Sequence, residues 1–272
     1  MKKFIRILKS DIKRLIVSKS LYFSIFGVVF LCFLNLWNDI YMRLSNHYEG
    51  NVLYYIILKR GLGAFFMAMT VICVIPSGLG HCADIKNNYK GYILSKTNIT
   101  KYCWSKIIAS VLGGFLCVFL GYMIFFGGLS LFFPIAESDP EILNQYMETS
   151  RYVVMIEKSP VIYWILEFSS EALGYGFLAS VAMTFSVLTD NVFVVLSMPI
   201  IFYYFTDFLN SVLGLPLILR WYQVMENGGV LFTVQDSNWA DTYLKTIFYF
   251  AVLIGITGMV FVKMMKIGAR DE

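Results

Sequence analysis

The stretch DIKNNYKGYILSKTNITKYCWSK, Asp84 to Lys106, lies between two long apolar runs and decides how the rest of the chain is read. Five lysines (Lys86, Lys90, Lys96, Lys101 and Lys106) stand against one acid, Asp84. Such a segment does not reside in hydrocarbon, and its excess of lysine marks a cytoplasmic loop. Tyr89, Tyr92, Ile93 and Lys96, then Ile99, Tyr102 and Cys103, recur at three- and four-residue spacing, so two short helices each offer an apolar stripe. The plain reading is a solvated loop touching lipid headgroups; the sharper one is a docking surface for a cytosolic partner.

Around this loop the composition sets the class. The chain has 272 residues, 58% of them apolar and 17% aromatic, and a mean hydropathy of +0.67, which excludes a soluble globular domain and points to an all-α integral membrane protein. Cys32, Cys73, Cys82, Cys103 and Cys117 fall in apolar runs or on the cytoplasmic side, so no pair is placed for an extracellular disulfide. The net charge of +4 says little by itself; its distribution carries the topology.

Residues 1–19 set Phe4, Ile5, Leu8, Ile12, Leu15 and Ile16 on one helical face and Lys2, Lys3, Arg6, Lys9, Lys13 and Arg14 on the rest, the pattern of an amphipathic interfacial helix. The apolar run after it ends in Phe33-Leu34-Asn35-Leu36-Trp37, with no small-residue cleavage site, so the N-terminus is expected to stay, inside. Spans are expected at 21–37, 61–80, 107–133, 172–189, 191–206 and 246–262, within a single transmembrane domain covering 1–272. Pro76 lies near the inner end of the second. The third holds Gly113-Gly114, Gly121 and Gly127-Gly128, suited to close helix packing. Residues 134–171 are rich in acids and read as an outside segment, with Glu167 and Glu171 forming a rim at the mouth of the fourth span. Thr189-Asp190-Asn191 is a tight inner turn. Between spans five and six, Val212 to Val224 is apolar but broken by Gly214 and Pro216, and reads as re-entrant or interfacial short helices.

Six crossings place both termini and the organising loop on one side. That side collects 15 of the 22 Lys and Arg and five of the 18 acids, in agreement with the positive-inside rule. His81, Cys82 and Asp84 fall short of zinc-site spacing, and His47 reads as surface; no metal site is expected. Walker, HExxH and GxSxG patterns are absent from the sequence, and charged residues inside the spans are nearly missing, Asp207 being the closest case. No enzymatic activity or cofactor is therefore expected in this chain, and an intramembrane enzyme would need a buried polar constellation that the sequence does not display.

An interfacial N-terminal helix, a basic loop between spans two and three and a broken apolar segment between spans five and six resemble the permease subunits of type-2 ABC exporters. In that family the first cytoplasmic loop couples to the ATPase, and this sequence is similar to its pattern at Asp84, Gly91, Leu94-Ser95, Thr100-Lys101, Tyr102 and Ser105-Lys106. It departs in carrying Asn87-Asn88 where Glu is common and Tyr92 where Thr is usual. The resemblance implies a bacterial plasma-membrane permease partnered by a cytosolic ATPase in two copies, which holds ATP and Mg, and by a second permease subunit. Asp84, Gly91, Tyr92, Ile93, Leu94, Ser95, Lys101, Tyr102 and Lys106 would form the coupling surface. Export of antimicrobial peptides, drugs or lipid-like amphipaths is the implied role. The rival is a non-transporting membrane anchor for a cytosolic partner.

Overall fold

A computed structural model describes residues 2–46, 51–58, 64–87, 91–92, 96–135, 152, 155, 158–214, 220–227 and 239–271. Among the described residues all regular structure is helical. Helix α1 (Lys2–Val17) is followed by α2 (Lys19–Asn46), α3 (Val52–Leu58), α4 (Ala64–Val74), α5 (Gly80–Lys86) and α6 (Ile99–Leu129). Then come α7 (Pro160–Phe185), α8 (Val192–Leu213), α9 (Trp221–Asn227) and α10 (Trp239–Asp271).

Among the described residues four helices are long and apolar enough to cross a membrane: Lys19–Ser45, Ile99–Leu129, Val192–Leu213 and Trp239–Gly268. Each is longer than the apolar core expected for it: Lys19–Ser45 and Trp239–Gly268 run past both ends of the uncharged run, Ile99–Leu129 past its start and Val192–Leu213 past its end. Helix α6 is the axis of the molecule, packed against α1, α2, α4, α7 and α10. Its tightest neighbour is α7. A Cβ built on Gly114 would lie 2.9 Å from the Tyr175 carbonyl oxygen, and one on Gly176 would lie 2.9 Å from that of Val111. Small residues bring the two backbones together, and Ser110 Oγ then donates to the Ala179 carbonyl at 2.8 Å.

The sequence places the ends. Asn191 caps α8, its side-chain oxygen accepting from Phe193 N at 3.0 Å, and Gly214 closes the helix in the left-handed region at φ 57°. Val212 and Leu213 thus belong to α8, while the break expected in this stretch falls at Gly214; residues 215–219, Pro216 among them, lie outside the described residues. Helix α9 is no exposed interfacial segment. Trp221 is buried against Phe177 and Phe202, its Nε1 donates to Thr206 Oγ1 at 3.1 Å, and Val224 and Met225 are buried.

Two expected spans differ. The run 61–80 is helical in α4 only to Val74; a turn through Pro76 interrupts it, since proline lacks the N–H that would continue the ladder, and the chain resumes as α5. At about 1.5 Å per residue, the 11 residues of α4 reach only about half of a ~30 Å core. The fourth helix starts at Pro160, twelve residues before the expected 172, and ends at Phe185. Its carboxylates keep it out of the most apolar group. Glu167 and Glu171 are consequently not a rim but lie inside the bundle at 1% and 8% exposure, Glu171 accepting from Tyr122 Oη at 2.7 Å. Charge inside the helices is thus more frequent than the sequence suggests.

A candidate coupling site at the α1, α5 and α6 junction

Asp11 sits on the face of α1 that carries Leu15 four residues on, so the side of α1 that meets α6 brings a carboxylate with it. Lys106, one turn above Tyr102 on α6, answers it. Lys106 Nζ lies 2.9 Å from Asp11 Oδ1 and 2.7 Å from Asp84 Oδ2, with all three side chains 5% exposed. Ser105 Oγ donates to Asp11 Oδ2 at 2.6 Å, Tyr102 Oη donates to Asp84 Oδ2 at 3.0 Å, and His81 Nδ1 lies 3.0 Å from the same hydroxyl. Because that hydroxyl spends its proton on Asp84, His81 Nδ1 is the donor to it. Arg14, half-exposed, reaches Asp84 Oδ1 at 3.4 Å.

Two buried carboxylates are therefore met by one buried ammonium and one guanidinium at the edge, and every carboxylate oxygen has a partner. A buried charge set survives only in this balanced form. Beside it opens a cavity of about 230 Å³ lined by Asp11, Arg14, Ser18, Ser77, Asp84 and Lys106, among others.

Asp84, Tyr102 and Lys106, three of the residues singled out in the sequence, are thus brought together, but inside the protein. Tyr102 and Cys103 pack with Ile107, Met183, Phe261 and Met265, so the stripe they form faces the chain's own α7 and α10. Lys101 is half-buried. Gly91 and Tyr92 are exposed, and the Lys96 ammonium sits 3.9 Å above the Tyr92 ring. Ile93, Leu94 and Ser95 lie outside the described residues. Sequence reasoning met Ser105 only in the family pattern, and as members of this site it missed Asp11, Arg14 and His81. The signal for Asp11 was present: in Leu8-x-x-Asp11-x-x-x-Leu15 it shares the apolar spacing. His81 and Asp84 share a network with Tyr102, and no group of three metal-ligand side chains occurs among the described residues.

Cys82 ties α5 to the turn after α7, its Sγ 3.9 Å from the Thr189 carbonyl. Burial, and then the charge of Asp190, push its thiol up from the usual range.

Helices of membrane-crossing length around a glycine-packed axis, with an ionic knot at one end, are the build of an α-helical membrane protein. Compared with models of known families, with curated proteins and with solved structures, the chain matches none.

Proposed function

We propose that the chain is the permease subunit of an ATP-driven exporter of the type-2 ABC class, spanning a bacterial plasma membrane six times with both termini inside, the second crossing made by α4 together with the turn through Pro76 that continues it to α5. A separate cytosolic ATPase, in two copies with its own ATP and Mg, drives it, and a second permease subunit completes the pathway for an amphipathic peptide, drug or lipid-like substrate. The observation that carries this reading is the rooting of the basic loop. Asp84 at its start and Lys106 at its end are joined to each other at 2.7 Å and to α1 through Asp11, so a force applied between them reaches α1 and α6 together. The exposed Tyr92 and Lys96 lie between those roots, where a partner has access.

Affinity purification in mild detergent, with mass spectrometry of what copurifies, tests the class. One ATPase per permease is expected, with Tyr92→Ala and Lys101→Ala lowering its retention or its substrate-stimulated hydrolysis. A partner without nucleotide-binding motifs would replace this reading by the membrane-anchor one.

A further inference from the structure

The exposed charge of α1 is purely cationic among the described side chains. Lys3, Arg6, Lys9, Lys13 and Arg14 are all exposed, and the helix's one acid, Asp11, is buried and engaged by Lys106 and Ser105. Among the described residues none of Lys3, Arg6, Lys9 and Lys13 has an ion-pair partner. Lys19, just beyond, is exposed too, and Lys263 and Lys266 of α10 add two more exposed cations at this end, where Asp190 is the one exposed acid among the described side chains.

The apolar residues of α1 are not one face but two. At 3.6 residues per turn, Phe4, Leu8 and Leu15 share the side of Asp11 and are half-buried or buried toward the bundle. Ile5 and Ile16 are 54% and 48% exposed, and they project between that buried side and the cationic one. The helix thus has three sectors, for protein, for hydrocarbon and for anions, in that order around its circumference. A bilayer surface offers hydrocarbon and anionic groups side by side in this arrangement.

We propose that α1 is a recognition surface for anionic phospholipid: Ile5 and Ile16 enter the acyl boundary while Lys3, Arg6, Lys9 and Lys13 engage phosphate-bearing, net-negative headgroups. Burying Asp11 against Lys106 serves this surface, because the same carboxylate left exposed would cancel one cation and repel the headgroups. The inference rests on the membrane-crossing build and on α1, and is independent of whether the protein transports anything. Each exposed cation near an anionic leaflet is worth roughly a fivefold preference, screened by salt within about 10 Å at 0.1 M.

Hydrogen exchange of the full-length protein decides it, read over residues 2–17 in nanodiscs of phosphatidylcholine alone and of phosphatidylcholine with phosphatidylglycerol. At least threefold slower exchange in the phosphatidylglycerol discs is expected, reverting toward the phosphatidylcholine value at high salt. The variant Arg6→Gln/Lys9→Gln/Lys13→Gln should lose the difference, whereas Arg6→Lys/Lys9→Arg/Lys13→Arg should keep it and Lys245→Gln, paired with Asp241 on α10, should leave it unchanged. Equal exchange of the unmodified protein in the two lipids overturns the proposal whatever the variants do. So does an unaltered lipid difference in the glutamine variant, or protection of residues 2–17 that appears only when a copurified protein partner is present.

Discussion

Lys106 carries its ammonium into a core where, without partners, desolvation would cost several kcal/mol, and it stays because two carboxylates wait there. Removing the cation alone leaves Asp11 and Asp84 facing each other across the gap. Lys106→Met is therefore expected to destabilise the protein by about 3–5 kcal/mol, read from the midpoint of a denaturant titration in detergent. Lys106→Met/Asp11→Leu should recover more than half of that loss, since an apolar pair of similar bulk leaves fewer charges buried; a double variant whose loss equals the sum of those of Lys106→Met and Asp11→Leu alone would mean that the pair is not coupled. The thiols belong to this scale as well. All five cysteines are buried, and that of Cys82 is further held in its neutral form by burial and by Asp190. Thiolate is the reactive form, so a raised thiol ionises less at neutral pH and more as pH climbs. Maleimide at pH 7 should leave the folded protein unmodified while labelling Tyr92→Cys, whose position is 56% exposed. Fast labelling of the unmodified protein at Cys82 would show that α5 opens.

At the scale of elements, the contact of α6 with α7 sets the interior, and glycines set the contact. Gly114→Ala drives a methyl onto the Tyr175 carbonyl at 2.9 Å and the Ala179 Cβ at 3.0 Å, and backbone cannot yield as a flexible side chain does. A loss of about 1–3 kcal/mol is expected. Gly128→Ala, on the same helix with nothing within 4 Å, should instead gain about 0.5–1 kcal/mol, because alanine restricts the unfolded chain and favours helix. If both variants behave alike in the same titration, packing at Gly114 is not what joins the helices. How far the elements were legible follows from the same physics. Uncharged runs betray helices whose whole circumference is apolar, which is why α2, α6, α8 and α10 were seen. Helix α7 was cut short because Glu167 and Glu171 look like solvent-facing residues until Tyr122, 49 residues away in sequence, supplies the partner for the second. The same blindness hid the ionic junction: Asp84, Tyr102 and Lys106 were marked as exposed because nothing local tells a loop lysine from one that a distant aspartate draws inward.

For the whole molecule, the distribution of charge makes a claim that packing does not. A bundle inserted upside down keeps every internal contact, so orientation depends on which ends carry Lys and Arg. Residues 1–19, the loop 84–106 and the segment after residue 262 hold 15 of the 22 cations, and the segments expected on the opposite side hold 13 of the 18 acids. At the level of single charges the junction weakens this asymmetry: Lys106 is neutralised by buried carboxylates, and Glu167 and Glu171 are withdrawn into the interior. Subtracting these leaves the cationic surface of α1 and the lysines of the loop and of α10 as the determinants of orientation. In intact cells a membrane-impermeant maleimide should therefore label Asn144→Cys and Gly228→Cys and spare Asn88→Cys, three positions outside the described residues, with the buried native thiols giving little background. Permeabilised cells should label all three. Labelling of position 88 before permeabilisation, with 144 and 228 protected, would invert the molecule. It would turn α1 and the loop away from the cytosol and remove the loop's access to an ATPase, while leaving the ionic junction and the glycine contact as they are.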